Sequence, residues 1–186
     1  MFEQLKDGHV IKTMVKEHEH ILAMLDELQE IANKFTRKDY DDGVELMKRT
    51  NELVKKIIAA EPHHEREENV LFPELEQLGI SGPPHIMRLE HEVIRKLKYD
   101  LKNETDNFVK DWEVRVESVS LLILKLCTNL SQHIDKENNI LYPMALKSIP
   151  DVEKWEEMKV RCDDIGYCCF CPTDKEELNK LSENNK

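Results

Sequence analysis

The chain has 186 residues, enough to bury a sizeable core and suited to one domain with a short appendage. Its 5 glycines and 7 prolines, against 35% charged and 6% aromatic residues, favour long amphipathic helices over sheet. A formal charge of −11 argues against partners held through Lys/Arg excess, nucleic acid and anionic membranes alike, and no apolar run approaches a membrane span; even Val119–Leu126 is broken by Lys125.

The 3.6-residue hydrophobic period predicts four helices. The first runs from about Val10 to Phe35, with Ile11, Met14, Val15, Ile21, Leu22, Leu25 and Leu28 on one side. The second runs from about Asp41 to Leu78, with Leu46, Leu53, Ile57, Leu71 and Leu75 inward, and Pro62 should bend it just before His63 by removing a ladder bond. The break from Gly79 to Pro84 ends it, and Pro83 or Pro84 can start the third, which continues to about Lys102 with Met87, Ile94, Leu97 and Leu101 inward. The fourth runs from about Val109 to Leu146, and beyond Pro150 follow a short helix bearing Trp155, a Cys-rich turn and a charged tail from Thr173 to Lys186.

An internal repeat organises these elements. His63-His-Glu-Arg-Glu67-Glu-Asn-Val-Leu-Phe-Pro73 recurs as His133-Ile-Asp-Lys-Glu137-Asn-Asn-Ile-Leu-Tyr-Pro143, and Glu17-His18-Glu19 recurs as Glu90-His91-Glu92. The chain therefore reads as two tandem helical hairpins, each with an uncovered apolar stripe. Packed face to face they make an all-α, up-down-up-down four-helix bundle over residues 1–150, with residues 151–186 as a C-terminal extension.

The repeated polar residues fall on the inward stripes. His18 is in step with Ile11, Val15, Leu22 and Leu25, and His91 lies between Met87 and Ile94. His63 and Glu67, like His133 and Glu137, are spaced i, i+4 and face the same way. At about 100° per residue, His63 and His64 lie ~40° and ~60° to either side of Glu67, so both can point inward. Unpaired imidazoles and carboxylates in an apolar core cost several kcal/mol each, a cost that bound metal removes. Histidine and glutamate donors without an inward thiolate suit Fe, Mn or Zn, and two opposed His-x-x-x-Glu motifs suggest a pair of ions, because glutamate can bridge.

His18, the Pro-His63-His-x-x-Glu67-Glu-x-x-Leu-Phe-Pro segment, Glu-His91-Glu and His133-x-x-x-Glu137-x-x-x-Leu-Tyr-Pro together resemble the hemerythrin-like HHE cation-binding family over about residues 10–147. The resemblance implies a non-haem centre of two iron ions with two bridging carboxylates and a bridging oxo or hydroxo group, held by His18, His63, Glu67, His91, His133 and Glu137. Blood hemerythrins carry a further histidine where this chain has Met87, and His64 is the natural replacement for it. Five histidines, two bridging glutamates and one bridging oxygen then leave one position of the pair open to an exogenous ligand.

Other signals weigh less. His9 and His20 fall on the far side of the first helix, and His85 is off the inward stripe of the third. Glu17/His20 and Glu61/His64 hint at a ferritin-like Glu-x-x-His plan, but nothing matches before His91 or His133. Glu68 aligns with Asn138 and reads as a group behind the ligands, Tyr142 and Phe72 as packing beneath them, and Cys127 as core. Cys162, Cys168, Cys169 and Cys171 offer a possible second metal or redox site, although their spacing fits no standard zinc pair. Five cysteines, four in one short stretch, make a poor disulfide framework, and with no signal peptide the expected compartment is the cytoplasm.

Two functions remain open on this reading. One is a module that binds or senses O2, NO, peroxide or a related small ligand at the open iron position; a protein partner is not identifiable. The other is a repair or reductase factor acting on stress-damaged iron–sulfur clusters or NO, since the fourth-helix segment is also similar to di-iron proteins of that kind. No acid–base group outside the metal shell is visible in the sequence, which favours binding over turnover.

Overall fold

A computed structural model describes residues 2–38, 41–107 and 111–168. Among these residues all regular structure is helical, in the order α1 (Val10–Arg37), α2 (Gly43–Ile58), α3 (Glu61–Arg66), α4 (Phe72–Gln77), α5 (Gly82–Thr105), α6 (Trp112–Lys136), α7 (Tyr142–Ser148) and α8 (Val152–Ile165). None of the described helices is long and apolar enough to cross a membrane. The long helices form a closed set of neighbours: α1 lies against α2 and α6, and α5 against the same two. Helix α8 packs on α1 and α3.

The second and fourth predicted helices are each interrupted, for reasons the backbone makes plain. Helix α2 ends at Ile58, and Pro62 sits in the first turn of the new helix α3, where its missing N–H leaves no helical bond unmade. Wider π-turns then follow at Glu67–Leu71 and Glu137–Leu141, where Phe72 and Tyr142 donate their N–H groups five residues back to the carbonyls of Glu67 and Glu137. Each π-turn precedes a proline, Pro73 or Pro143, that cannot donate to the preceding turn. In the first repeat the Asn69 carbonyl takes a 2.8 Å bond from Arg161 of α8 instead. The extra residue in each turn rotates the chain so that Glu67 and Phe72, and likewise Glu137 and Tyr142, share the inward face. At the end of α4, Gly79 takes a positive φ of 82° while Ile80 N–H reaches back to Leu75 O and Gly79 N–H to Glu76 O, which caps the helix and turns the chain toward α5.

The interior is divided. One apolar cluster gathers Ile21, Leu25, Leu53, Ile57, Ile94, Ile123 and Leu130; the other gathers Ile11, Met14, Leu71, Phe72, Met87, Tyr142 and, from α8, Trp155 and Met158. Between Met14 and Ile21, Ala60 and Val70, Met87 and Ile94, and Leu130 and Leu141, each helical segment contributes buried ionisable side chains. A polar layer therefore crosses the middle of the core.

Candidate metal centre

The seven residues singled out from the sequence meet in that layer. His18 comes from α1, His63 and His64 from α3, Glu67 and Glu137 from the π-turns, His91 from α5 and His133 from α6, and none is more than 4% exposed. The Nε2 atoms of His18 and His63 are 3.0 Å apart, and those of His91 and His133 2.9 Å. Glu137 spans the two pairs, with Oε2 3.1 Å from His18 Nε2 and Oε1 2.8 Å from His133 Nε2. Glu67 Oε2 lies 3.7 Å from His63 Nε2 and 3.4 Å from His91 Nε2. Ligand atoms lie within 4.8 Å of one another in three overlapping groups: His18, His63 and Glu137; Glu67, His91, His133 and Glu137; and His64, His91 and His133.

Four of the five imidazoles are oriented from behind. His63 Nδ1 is 2.7 Å from Glu17 Oε2, His133 Nδ1 2.9 Å from Glu90 Oε2, His91 Nδ1 2.6 Å from Glu68 Oε1 and His18 Nδ1 2.9 Å from Asn138 Oδ1. The wiring follows the repeat: a residue just before the ligand of α1 or α5 supports a histidine of the same half, and a residue just after each glutamate supports one of the other half. With the Nδ1 proton committed to these acceptors, a neutral ring turns its Nε2 lone pair inward. Two lone pairs facing each other at about 3 Å repel, but that is the spacing of adjacent donors at right angles around one ion with metal–nitrogen bonds of about 2.1 Å. Glu67 Oε2 and both oxygens of Glu137 are buried with no hydrogen-bond partner, so their lone pairs also converge on shared space rather than on donors, and His64 Nδ1 is likewise buried and unpartnered. The donor set fits bound metal, and these clusters could hold it.

Electrostatics bears out the same layout. Burial works to raise the Glu17 carboxyl, but His63 and the fully buried Arg66 guanidinium outweigh it and hold it at about 2. Burial also opposes the charged form of His91, yet Glu137, Glu67 and Glu68 overcome it and raise the imidazole to about 11; His18 and His133 are raised too, chiefly by Glu137. His64 goes the other way: burial, then the charge on nearby Lys98 and its fellow histidines, pushes it well below the usual range, leaving a neutral ring. It stacks on His91 at 3.9 Å, and the nearest carboxylate, Glu61, is 3.6 Å from Nδ1, too far for a hydrogen bond.

These shifts predict the pH dependence of loading. In the metal-free protein His91, raised to about 11, retains its proton at neutral pH, and His18 and His133 are shifted in the same direction, so this contribution to folding is full below about 6.5 and is lost as pH rises through the folded values. An ion must displace those protons. Metal uptake at pH 7 should release protons, seen as a buffer-dependent heat in calorimetry, and affinity should fall as pH is lowered; a heat independent of the buffer would contradict this.

Several groups noted in the sequence lie elsewhere. His20 and His85 are exposed, and His9 caps α1, accepting from Ile11 N–H at 3.2 Å and packing on Trp155. Glu17 serves His63 rather than His20, so the Glu-x-x-His arrangement does not assemble. Phe72 and Tyr142 stack on His91 and His18, respectively. Cys127 is buried in the first apolar cluster. Cys162 and Cys168 are also buried, while Cys169 and Cys171 lie outside the described residues. Cys168 approaches the site through its backbone, donating N–H to Glu17 Oε1 at 3.3 Å, and the neighbouring Tyr167 ring covers the Arg66 guanidinium at 4.7 Å. The supporting roles of Glu17, Glu90, Asn138 and Arg66 were not anticipated. Their signal was the acidic residue immediately before His18 and His91 in both repeats.

Known proteins are similar to this chain in sequence. The iron-sulfur cluster repair protein YtfE of Enterobacter sp. (strain 638) is 33% identical over 93 residues, covering 45% of this chain and 40% of the relative. The corresponding proteins of Salmonella schwarzengrund (strain CVM19633) and Escherichia coli O81 (strain ED1a) are 31% and 33% identical over the same shares. The chain thus spans about 40% of the length of these curated relatives. The hemerythrin HHE cation binding domain family matches residues 9–145, a stretch that contains every residue of the buried polar layer named above except the covering Tyr167 and Cys168. The chain belongs to the hemerythrin HHE cation-binding family.

Proposed function

We propose that this chain is an up-down-up-down four-helix bundle that holds two iron ions through His18, His63, His64, Glu67, His91, His133 and Glu137 and binds a small ligand, O2, NO or peroxide, at one of them. The observation that carries this reading is the inequality of the two ends. His91 and His133 are joined by a ring nitrogen of His64, whereas His18 and His63 are grouped with Glu137 and no third histidine. A site with fewer protein donors keeps room for an outside ligand. The bound iron pair would supply reversible redox and ligand-binding chemistry. The chain's own residues orient the imidazoles, keep Glu137 ionised and exclude water.

Purified protein loaded with ferrous iron should contain close to two ions per chain and form a reversible adduct with NO or O2, visible as a band that vanishes when the gas is removed. One ion per chain would end the paired-site reading. The relatives favour a second reading, repair of damaged iron–sulfur clusters, with the cytoplasm as the compartment in either case. Consumption of NO over many cycles when electrons are supplied, or restoration of a damaged cluster in a client protein, would move the assignment to that activity.

A further inference from the structure

Two of the differences between the halves of the site fall at positions that the seventy-residue repeat pairs and that carry rings into it. His64 of the first half corresponds to Ile134 of the second, and Phe72 corresponds to Tyr142. Both aromatic rings lie against a histidine, Phe72 on His91 at 5.9 Å and Tyr142 on His18 at 5.6 Å, so the repeat preserves their placement while changing one atom. That atom is a fully buried hydroxyl at the end with two histidines. It donates to Glu67 Oε1 at 2.8 Å and lies 3.4 Å from Nε2 of His63, the nitrogen that faces the shared interior. Burying a phenol there, when phenylalanine fills the matching place, calls for a partner.

We propose that Tyr142 determines ligand specificity: its hydroxyl donates a hydrogen bond to an anionic or acceptor-bearing ligand bound at the His18–His63 end. This rests on the proposed binding of a small ligand there. The chemistry is one-directional, since a protonated phenol whose ring edge is packed offers a single donor to the site. Ligands with an accepting atom next to the one that binds metal gain from it, and those without one do not. The other end needs no such donor, because His64 already takes the place that Ile134 leaves apolar. Glu67 holds the hydroxyl in position until a ligand competes for it.

Azide is a suitable probe, being small, anionic and an acceptor at both termini. It is titrated into the iron-loaded protein and into loaded Tyr142→Phe, a change that Phe72 shows the fold already accommodates. We expect the variant to bind azide about 10–100-fold more weakly, the range for losing one hydrogen bond to a charged group. In the wild type alone, exchange into D2O should shift the vibrational band of bound azide. Equal affinity in both proteins, with no isotope shift, would overturn the role of Tyr142 while leaving ligand binding intact. A tyrosinate charge-transfer band in the azide-free ferric protein, lost in Tyr142→Phe, would also overturn it by making the residue a ligand. Failure of the wild type to bind azide, NO or O2 at all would remove the underlying reading and this inference together.

Discussion

Replacing Arg66 by methionine should lower the stability of the fold by about 3–5 kcal/mol, the cost of stranding one member of a buried ion pair. For a chain of this size that is a fall in Tm of roughly 6–20 °C, at about 2–4 °C per kcal/mol. Arg66 has no exposed surface, and its Nη2 donates to both oxygens of Glu17 at 2.6 and 2.5 Å while Nε holds the Pro62 carbonyl at 3.0 Å. Without the guanidinium, Glu17 keeps, among the described residues, His63 and the weak contact from Cys168 N–H, in a core that cannot hydrate it. The double variant Arg66→Met/Glu17→Gln should recover much of the loss, because a neutral amide can still accept from His63. A urea titration of the wild type, the single and the double variant checks both statements; a single variant within about 1 kcal/mol of wild type would show that Glu17 needs no counter-charge, well below the usual cost. The corresponding pair of the second half, Lys136 and Glu90, is partly exposed and should be far less sensitive.

Iron should stabilise the protein more than any single side chain does. An ion present at a thousandfold excess over its Kd adds about 4 kcal/mol, so two ions should raise Tm by roughly 15–30 °C. On the proposed site the gain would come from ions satisfying Glu67 Oε2 and both oxygens of Glu137, which otherwise lie buried without partners. His64→Ile gives this prediction its sharpest form, since it installs the residue that the repeat already uses at position 134. In metal-free protein the change should be neutral or stabilising, because it removes a buried, poorly satisfied imidazole. In loaded protein it should weaken iron binding by more than the roughly 10–100-fold typical of losing a group behind a ligand. Thermal melts of the metal-free and loaded forms, with iron counted after dialysis, separate the two effects. A variant that holds both ions as tightly as wild type would show that His64 is not a ligand.

Much of this protein is legible without coordinates. The helical period marks which residues turn inward, and the i, i+4 pairs His63/Glu67 and His133/Glu137 share a face by local geometry alone. The repeat implies two hairpins that each need a cover for an apolar stripe, and the donor types point to metal. All of these depend on residues near one another in the chain, where the backbone period dictates direction.

The rest required the packed structure. The π-turns at Glu67 and Glu137 depend on how Pro73 and Pro143 divert the backbone bonds of their own turns, a choice that neighbouring helices stabilise through contacts such as Arg161 on Asn69. Which carboxylate stands behind which imidazole was equally hidden: Glu17 supports His63 and Glu68 supports His91, partners 46 and 23 positions apart. Sequence spacing carries no distance between helices, so it determined which side chains enter the core layer, while interhelical packing alone decided how their protons, charges and lone pairs are matched there.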